Sequence, residues 1–290
     1  MAAAEHEPRP GPATGPASRP EVEALLASLR DGGAHTLDDL AAASHLSRFH
    51  LSRLLKRHLG FPLRDFLAAV KVDRGIDGLV SGHEVTRSQL EAGHESPASY
   101  HHAFVRHTGL APSRYRASMQ QLASHLLRHQ DDATPLAVLH RTFDAASHPQ
   151  RHPLTLRVEG AQAHAALFVA LHHEPIVRGE PDLGIALLGT SDYTVTHLPD
   201  GSYYAMVVEV PPSSSLTSYF RMDANRRQLD RIPLTFPLAA PRTVTLTLRD
   251  LVPSDPPITV NLPRLFMAGL LGHVDVEVRN PRQAGGDDSH

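Results

Sequence analysis

The strongest constraint on this 290-residue chain is that it repeats itself. Residues 45–60 read HLSRFHLSRLLKRHLG, and forty-nine positions later residues 94–109 read HESPASYHHAFVRHTG. Ala43 and Ala92, His45 and His94, Ser47 and Ser96, Arg57 and Arg106, His58 and His107, and Gly60 and Gly109 are identical pairs. Apolar residues coincide as well: Leu51 with Tyr100, Leu55 with Phe104, Phe61 with Leu110. A repeat at one fixed offset marks one structural unit used twice.

The unit is helical. EVEALLASLR reads as a short amphipathic helix stopped at Gly32-Gly33, and LDDLAAAS as another. Ser47 is placed to cap the next helix and Gly60 to close it. A longer helix runs from about Pro62 to Gly82, and the second copy follows with helices at about 86–93 and 97–108. Pro112 opens a last helix through SRYRASMQQLASHLL. Two short helices joined by a tight turn give each copy the outline of a helix-turn-helix. After residues 129–152, read as a linker, the hydrophobic period changes from 3.6 to about 2. LTLRV, AALFVAL, YTVTHL, SYYAMVVEV and TVTLTLRDL, with turn signals between them, predict an antiparallel β-sandwich. The expected layout is therefore multi-domain. A disordered N-terminus (1–20) precedes an all-α double helix-turn-helix (21–128) and the linker (129–152), and an all-β antiparallel sandwich (153–278) leads into a disordered tail (279–290).

Composition removes several classes of function. The chain has no cysteine, which excludes disulfides, thiol nucleophiles and thiolate zinc sites. No apolar run reaches the roughly 18–20 residues that span a bilayer. The first twenty residues hold five prolines and no apolar core of a secretory signal. The expected location is the cytoplasm, on the nucleoid when bound to DNA. Net charge is −3 overall, but residues 44–116 carry eleven Lys/Arg against six acids, a local net of +5. A basic segment in a slightly acidic protein points to a polyanion.

The two copies differ in what they face outward. Placed at about 100° per residue, the helix after Ser47 sets Leu51, Leu54 and Leu55 on one side. On the other side Arg48, Ser52, Arg53 and Lys56 surround Phe49. A phenyl ring gains nothing in water, but in the major groove it packs against thymine methyls. The cations around it are donors for base edges and phosphates. The second copy presents Pro97, Ala98, Ser99, His101 and His102, with Arg106 to one side, and keeps the shape while losing the cations. His101 and His102 diverge by about 100° on a helix and suit one metal badly, so no metal or cofactor is expected. A connecting helix of some 19 residues spans roughly 28 Å at 1.5 Å per residue. That is near the roughly 34 Å DNA turn that separates successive major grooves on one face.

These residues resemble the DNA-binding region of the AraC/XylS transcription regulators. The likeness covers about residues 21–118. It rests on LDDLAAASHLSRFHLSRLLKRHLGFPLRDFL, on SYHHAFVRHTGLAPSRYR, and above all on the closing G-x-x-P-S-x-Y-R from Gly109 to Arg116. The resemblance implies that Phe49, Ser52 and Arg53 read bases and that Arg48 and Lys56 lie near phosphates. It implies a lesser role for Pro97, Ala98, Ser99, His101 and His102. Departures from the family pattern are Gly93-His94 in place of Gly-Phe, Lys71 in place of the linker-helix arginine, and glycines at 75 and 78. Each mid-helix glycine costs about 1 kcal/mol relative to alanine, which predicts a softer rod between the halves.

The β-region resembles a transthyretin-like or carboxypeptidase-regulatory-like sandwich, with P-D-G-x-Y at Pro199–Tyr203 marking the turn into a core strand. No catalytic set stands out in it. His172 and His173 point to opposite faces of a strand. Asp182, Asp192, Asp200 and Asp255 lie beside turns, and serines 213–215 lack a nucleophile motif. The sequence thus predicts a non-enzymatic regulator that binds double-stranded promoter DNA. Its β-domain would sense a small-molecule effector or mediate association, with RNA polymerase or a second copy of the chain as candidate partners. The alternatives are a β-domain that only docks to a protein, and an enzyme with an adaptor-like helical region.

Overall fold

The computed structural model describes residues 19–32, 36–117, 135–149, 152–212, 220–222, 225–259 and 265. The helices bounded at both ends among the described residues are α1 (Arg19–Arg30), α2 (Leu37–Ser44), α3 (Arg48–Leu59), α4 (Leu63–Val80), α5 (Val85–Glu91) and α6 (Pro97–Thr108). Residues 112–117 are helical too. The remainder of the expected last helix, residues 1–18 and 279–290 of the expected disordered ends, and the serines at 213–215 lie outside the described residues, while Arg19 and Pro20, expected to be disordered, open α1.

Helix limits follow from their caps. The Thr36 side chain accepts from the Asp39 N–H while the Asp39 carboxylate accepts from the Thr36 N–H, a reciprocal capping box. Ser47 and Ser96, repeat partners, each accept from the backbone N–H three residues on, at 3.2 Å in both cases. Gly60 and Gly109 end the same two helices at φ +86° and +72°, a left-handed conformation that a side chain would strain. The two copies therefore share start, length and stop.

Among the described residues nine strands follow: β1 (Leu136–Arg141), β2 (Leu154–Glu159), β3 (Ala166–His172), β4 (Leu183–Leu188), β5 (Asp192–Val195), β6 (Gly201–Val210), β7 (Arg227–Leu229), β8 (Leu234–Phe236) and β9 (Arg242–Thr247). The larger sheet runs β1-β4-β3-β6-β7 with β8 also on β6, and the smaller runs β5-β2-β9. Two expectations need correction. Residues 136–141, within the expected linker, form an edge strand of the larger sheet, registered from Leu136 opposite Leu188 to Arg141 opposite Leu183. The sandwich is not antiparallel throughout, because β9 runs parallel to β2. No hairpin fixes their relative direction, since the chain reaches β9 from β8 in the other sheet.

Burial separates the sheets. β2 alternates buried and open residues, so the smaller sheet has one wet face. β1, β3 and β4 have no exposed position and are buried along most of their length, the mark of a sheet covered on both sides. One face, with Leu139, Val169, Ile185 and Val207, packs on Leu156 and Val244 of the smaller sheet. The other, with Val138, Phe168, Ala186, Met206 and Val208, packs on Val72, Ile76, Leu79, Tyr100, Phe104 and Tyr115 of the helices. The molecule is thus layered helices, sheet, sheet, and its two domains share a core. Asp255, read as a turn residue, is buried and bound by both Arg249 guanidinium nitrogens at 2.7 Å. Tyr203 is buried, donates to Pro199 O at 3.0 Å, and packs against a tilted His173 ring and edge to face with Phe236. No helix among the described residues is long and apolar enough to cross a membrane.

The glycines of α4 do not mark softness. A Cβ on Gly75 would lie 2.8 Å from Tyr100 Cε2 and Oη, and one on Gly78 would lie 2.9 Å from Ser88 Oγ. Ser88 Oγ donates to Gly75 O at 2.7 Å and sits 3.0 Å from Tyr100 Oη, all within the core. The glycines let α5 and α6 approach the rod closely. Gly75→Ala should therefore destabilise the protein, by about 1–3 kcal/mol from overpacking, despite the better helix propensity of alanine. Denaturant unfolding checks it, and a stabilised variant would contradict the packing account.

Two histidines lie between the domains. His172 is buried on β3 and its pKa is pushed down to about 4 by burial, with His173 adding to the effect. His107 is likewise held down to about 4, first by burial and then by Arg106 and Arg178, against the raising effect of Asp65 and the Val177 backbone. Depressed folded values mean that the unfolded chain binds more protons between its ordinary 6.5 and about 4. Stability from this source is complete above pH 6.5 and falls as the pH drops. Thermal melting should decline below pH 6.5, before the carboxylates titrate, and His172→Leu should flatten that slope. An unchanged slope in the variant would contradict the assignment.

Candidate nucleic-acid interface

Helix α3 points its leucines inward and its cations outward. Leu51, Leu55 and Leu59 are fully buried against α1, α2 and α4. On the opposite side Phe49 is 69% exposed, the condition for a ring that meets a partner. The Arg53 guanidinium lies over that ring, 4.2 Å from its centroid. Such a contact holds a flexible cation in place at an exposed site. Arg48 and Lys56 are exposed and Ser52 is half-buried between them. Arg48 Nε is 2.7 Å from Asp38 at the start of α2, an exposed pair that the sequence reading did not anticipate. The signal was present in the two acids of LDDL, whose first-turn position in α2 is favoured by the helix dipole.

Helix α6 repeats the geometry with different chemistry. Tyr100 and Phe104 are buried and meet edge to face at 5.5 Å. Pro97, Ala98, Ser99, His101, His102 and Arg106 are exposed. The His101 and His102 rings stand 5.9 Å apart and nearly perpendicular, unlike a shared ligand pair. Among the described residues, no group of three or more His, Asp or Glu side chains is arranged to hold a metal.

Between the two faces, α4 has 18 residues, a length of roughly 27 Å at 1.5 Å each. His94, where the family pattern has phenylalanine, packs its ring 5.1 Å from Tyr100, and burial lowers its pKa first, with Lys71 adding to the shift. Lys71 donates to Gly93 O at 2.9 Å, so it ties the linker helix to the turn before α6. The β-domain covers α4 and the inner side of α6. Every outward residue named above stays exposed or half-exposed with that domain in place.

No curated protein matches the chain. Residues 40–118 match the family model described as a helix-turn-helix domain, which spans α3 through α6 and supports the AraC-type reading of this region.

Proposed function

We propose that the chain is a sequence-specific transcription regulator of the AraC/XylS type. It reads promoter DNA by placing α3 and α6 in successive major grooves. The observation that carries this reading is the exposed Phe49, with Arg53 stacked on it and Arg48 and Lys56 beside it, on a helix whose other side is buried leucine. Arg53 and Phe49 act together on base edges, while Arg48 and Lys56 take phosphates. The α6 face, with its single cation Arg106 and its histidines, adds position more than specificity. The β-domain serves as an effector-binding or association module on this reading, and its Tyr203 turn fits a transthyretin-like sandwich.

The test is selection of bound duplexes from a random-sequence pool by the full chain, followed by variants on the recovered DNA. Arg53→Ala should cost about 1–3 kcal/mol and relax specificity at its base. His101→Ala should cost clearly less; equal losses would overturn the asymmetry, and recovery of no duplex at low salt would overturn the reading itself. Asp38→Asn releases Arg48 and removes a repelling charge, so it should tighten binding and steepen the salt dependence. Unchanged affinity and salt slope would remove Arg48 from the phosphate contacts.

A further inference from the structure

The repeat is most faithful at the ends of the two recognition helices, where Arg57, His58 and Gly60 recur as Arg106, His107 and Gly109. The last carbonyls of a helix have no partner within it and carry partial negative charge. Here both ends are met by the β-domain. Arg231, between β7 and β8, donates through Nη1 to His58 O at 2.9 Å and Leu59 O at 3.0 Å, and through Nη2 to Ser254 O at 3.2 Å. At the equivalent place on α6, the Gly179 N–H donates to His107 O at 3.3 Å. The same carbonyl in each copy is therefore held by the same domain.

The loop between β3 and β4, residues 173–182, reaches both halves. Pro175 lies against Gly60, where an added Cβ would come within 3.2 Å of its Cγ. Ile176 is buried with Leu26, Leu51, Leu55 and Phe66 of the first half. Its neighbour Val177 is buried with Tyr100 and Phe104 of the second. Arg178 pairs with Glu174 and lies 3.5 Å from Asp65 in the first turn of α4. Consecutive side chains thus enter the cores of different helix-turn-helix units.

We infer that the β-domain is a brace that fixes the spacing and angle of α3 and α6, with Arg231 and the Pro175–Arg178 segment as positioning residues for DNA reading. They act through the recognition helices and touch no DNA themselves. Two reading heads held in advance at the groove spacing lose less freedom on binding than two heads on a single helical rod. The consequence for DNA rests on the function proposed above; the bracing itself is testable without DNA.

The chain has no cysteine, so labels can be placed cleanly. Nitroxides on full-length Lys56→Cys/His102→Cys report the distance between the two helices by pulsed electron paramagnetic resonance. One narrow distance is expected, broadening when Arg231→Ala is added; a distribution as narrow in the variant overturns the inference. If Arg231→Ala does not fold, Arg231→Lys keeps the charge but not the fork that joins three carbonyls, and the same broadening is expected. The binding arm uses unlabelled protein and duplexes recovered from the random pool, with and without base pairs inserted between the half-sites. The parent should discriminate against the insertion. Arg231→Ala should lose that discrimination while holding a single half-site as well as the parent does. Retained discrimination, or an equal loss on single half-sites, overturns the positioning role. Failure to recover any duplex defeats the DNA reading and leaves the distance result standing.

Discussion

The larger β-sheet is apolar on both faces, and most of the molecule's organisation follows from that. A sheet of this kind must be covered twice. The smaller sheet covers one side through Leu156 and Val244, and the helical layer covers the other through Ile76, Tyr100 and Phe104. The helical layer depends on this cover in turn, because its side chains toward the sheet would otherwise lie open to water. The two domains are therefore one folded body, and the outward faces of α3 and α6 are what the cover leaves available.

Electrostatics are divided in the same way. Charged groups at the domain boundary are paired or bonded: Glu23 accepts from Ser254 N–H, Arg178 approaches Asp65, and Arg221 donates to Ser81. The carboxylate of Asp255 is held below its usual range, burial opposing but outweighed by Arg249 and the Val252 N–H. Among the described residues, the outward cations Arg48 and Arg53 of α3 are tied to exposed groups, Arg48 to Asp38 and Arg53 to the face of Phe49. Exposed pairs of this kind contribute little stability, so they cost little to exchange for the phosphate and base contacts proposed above.

Local signals in the sequence carried the helical region well. Ser47, Gly60, Ser96 and Gly109 set the limits of α3 and α6 because caps are local chemistry. The inward and outward faces of α3 could be read because periodicity records burial. Other features left no local trace. β1 reads as linker because six strand residues sit between polar, proline-bearing stretches, and its partner β4 lies more than forty positions away. β7 and β8 have three residues each, too few for a period to show. Gly75 and Gly78 read as weak points in the sequence because the side chains that fill their space, Tyr100 and Ser88, come from other helices. The contact of Arg231 with the end of α3 spans 173 positions, beyond the reach of any pattern.

On the proposed reading, two outward helix faces, held at a fixed separation, enter one face of duplex DNA. Hydroxyl-radical footprinting of the full chain on a recovered duplex tests it most directly. Two protected patches on the same side of the helix, about one turn or roughly 10 base pairs apart, are predicted, the deeper one at the groove read by α3. A single patch, or uniform cleavage at saturating protein, would contradict it.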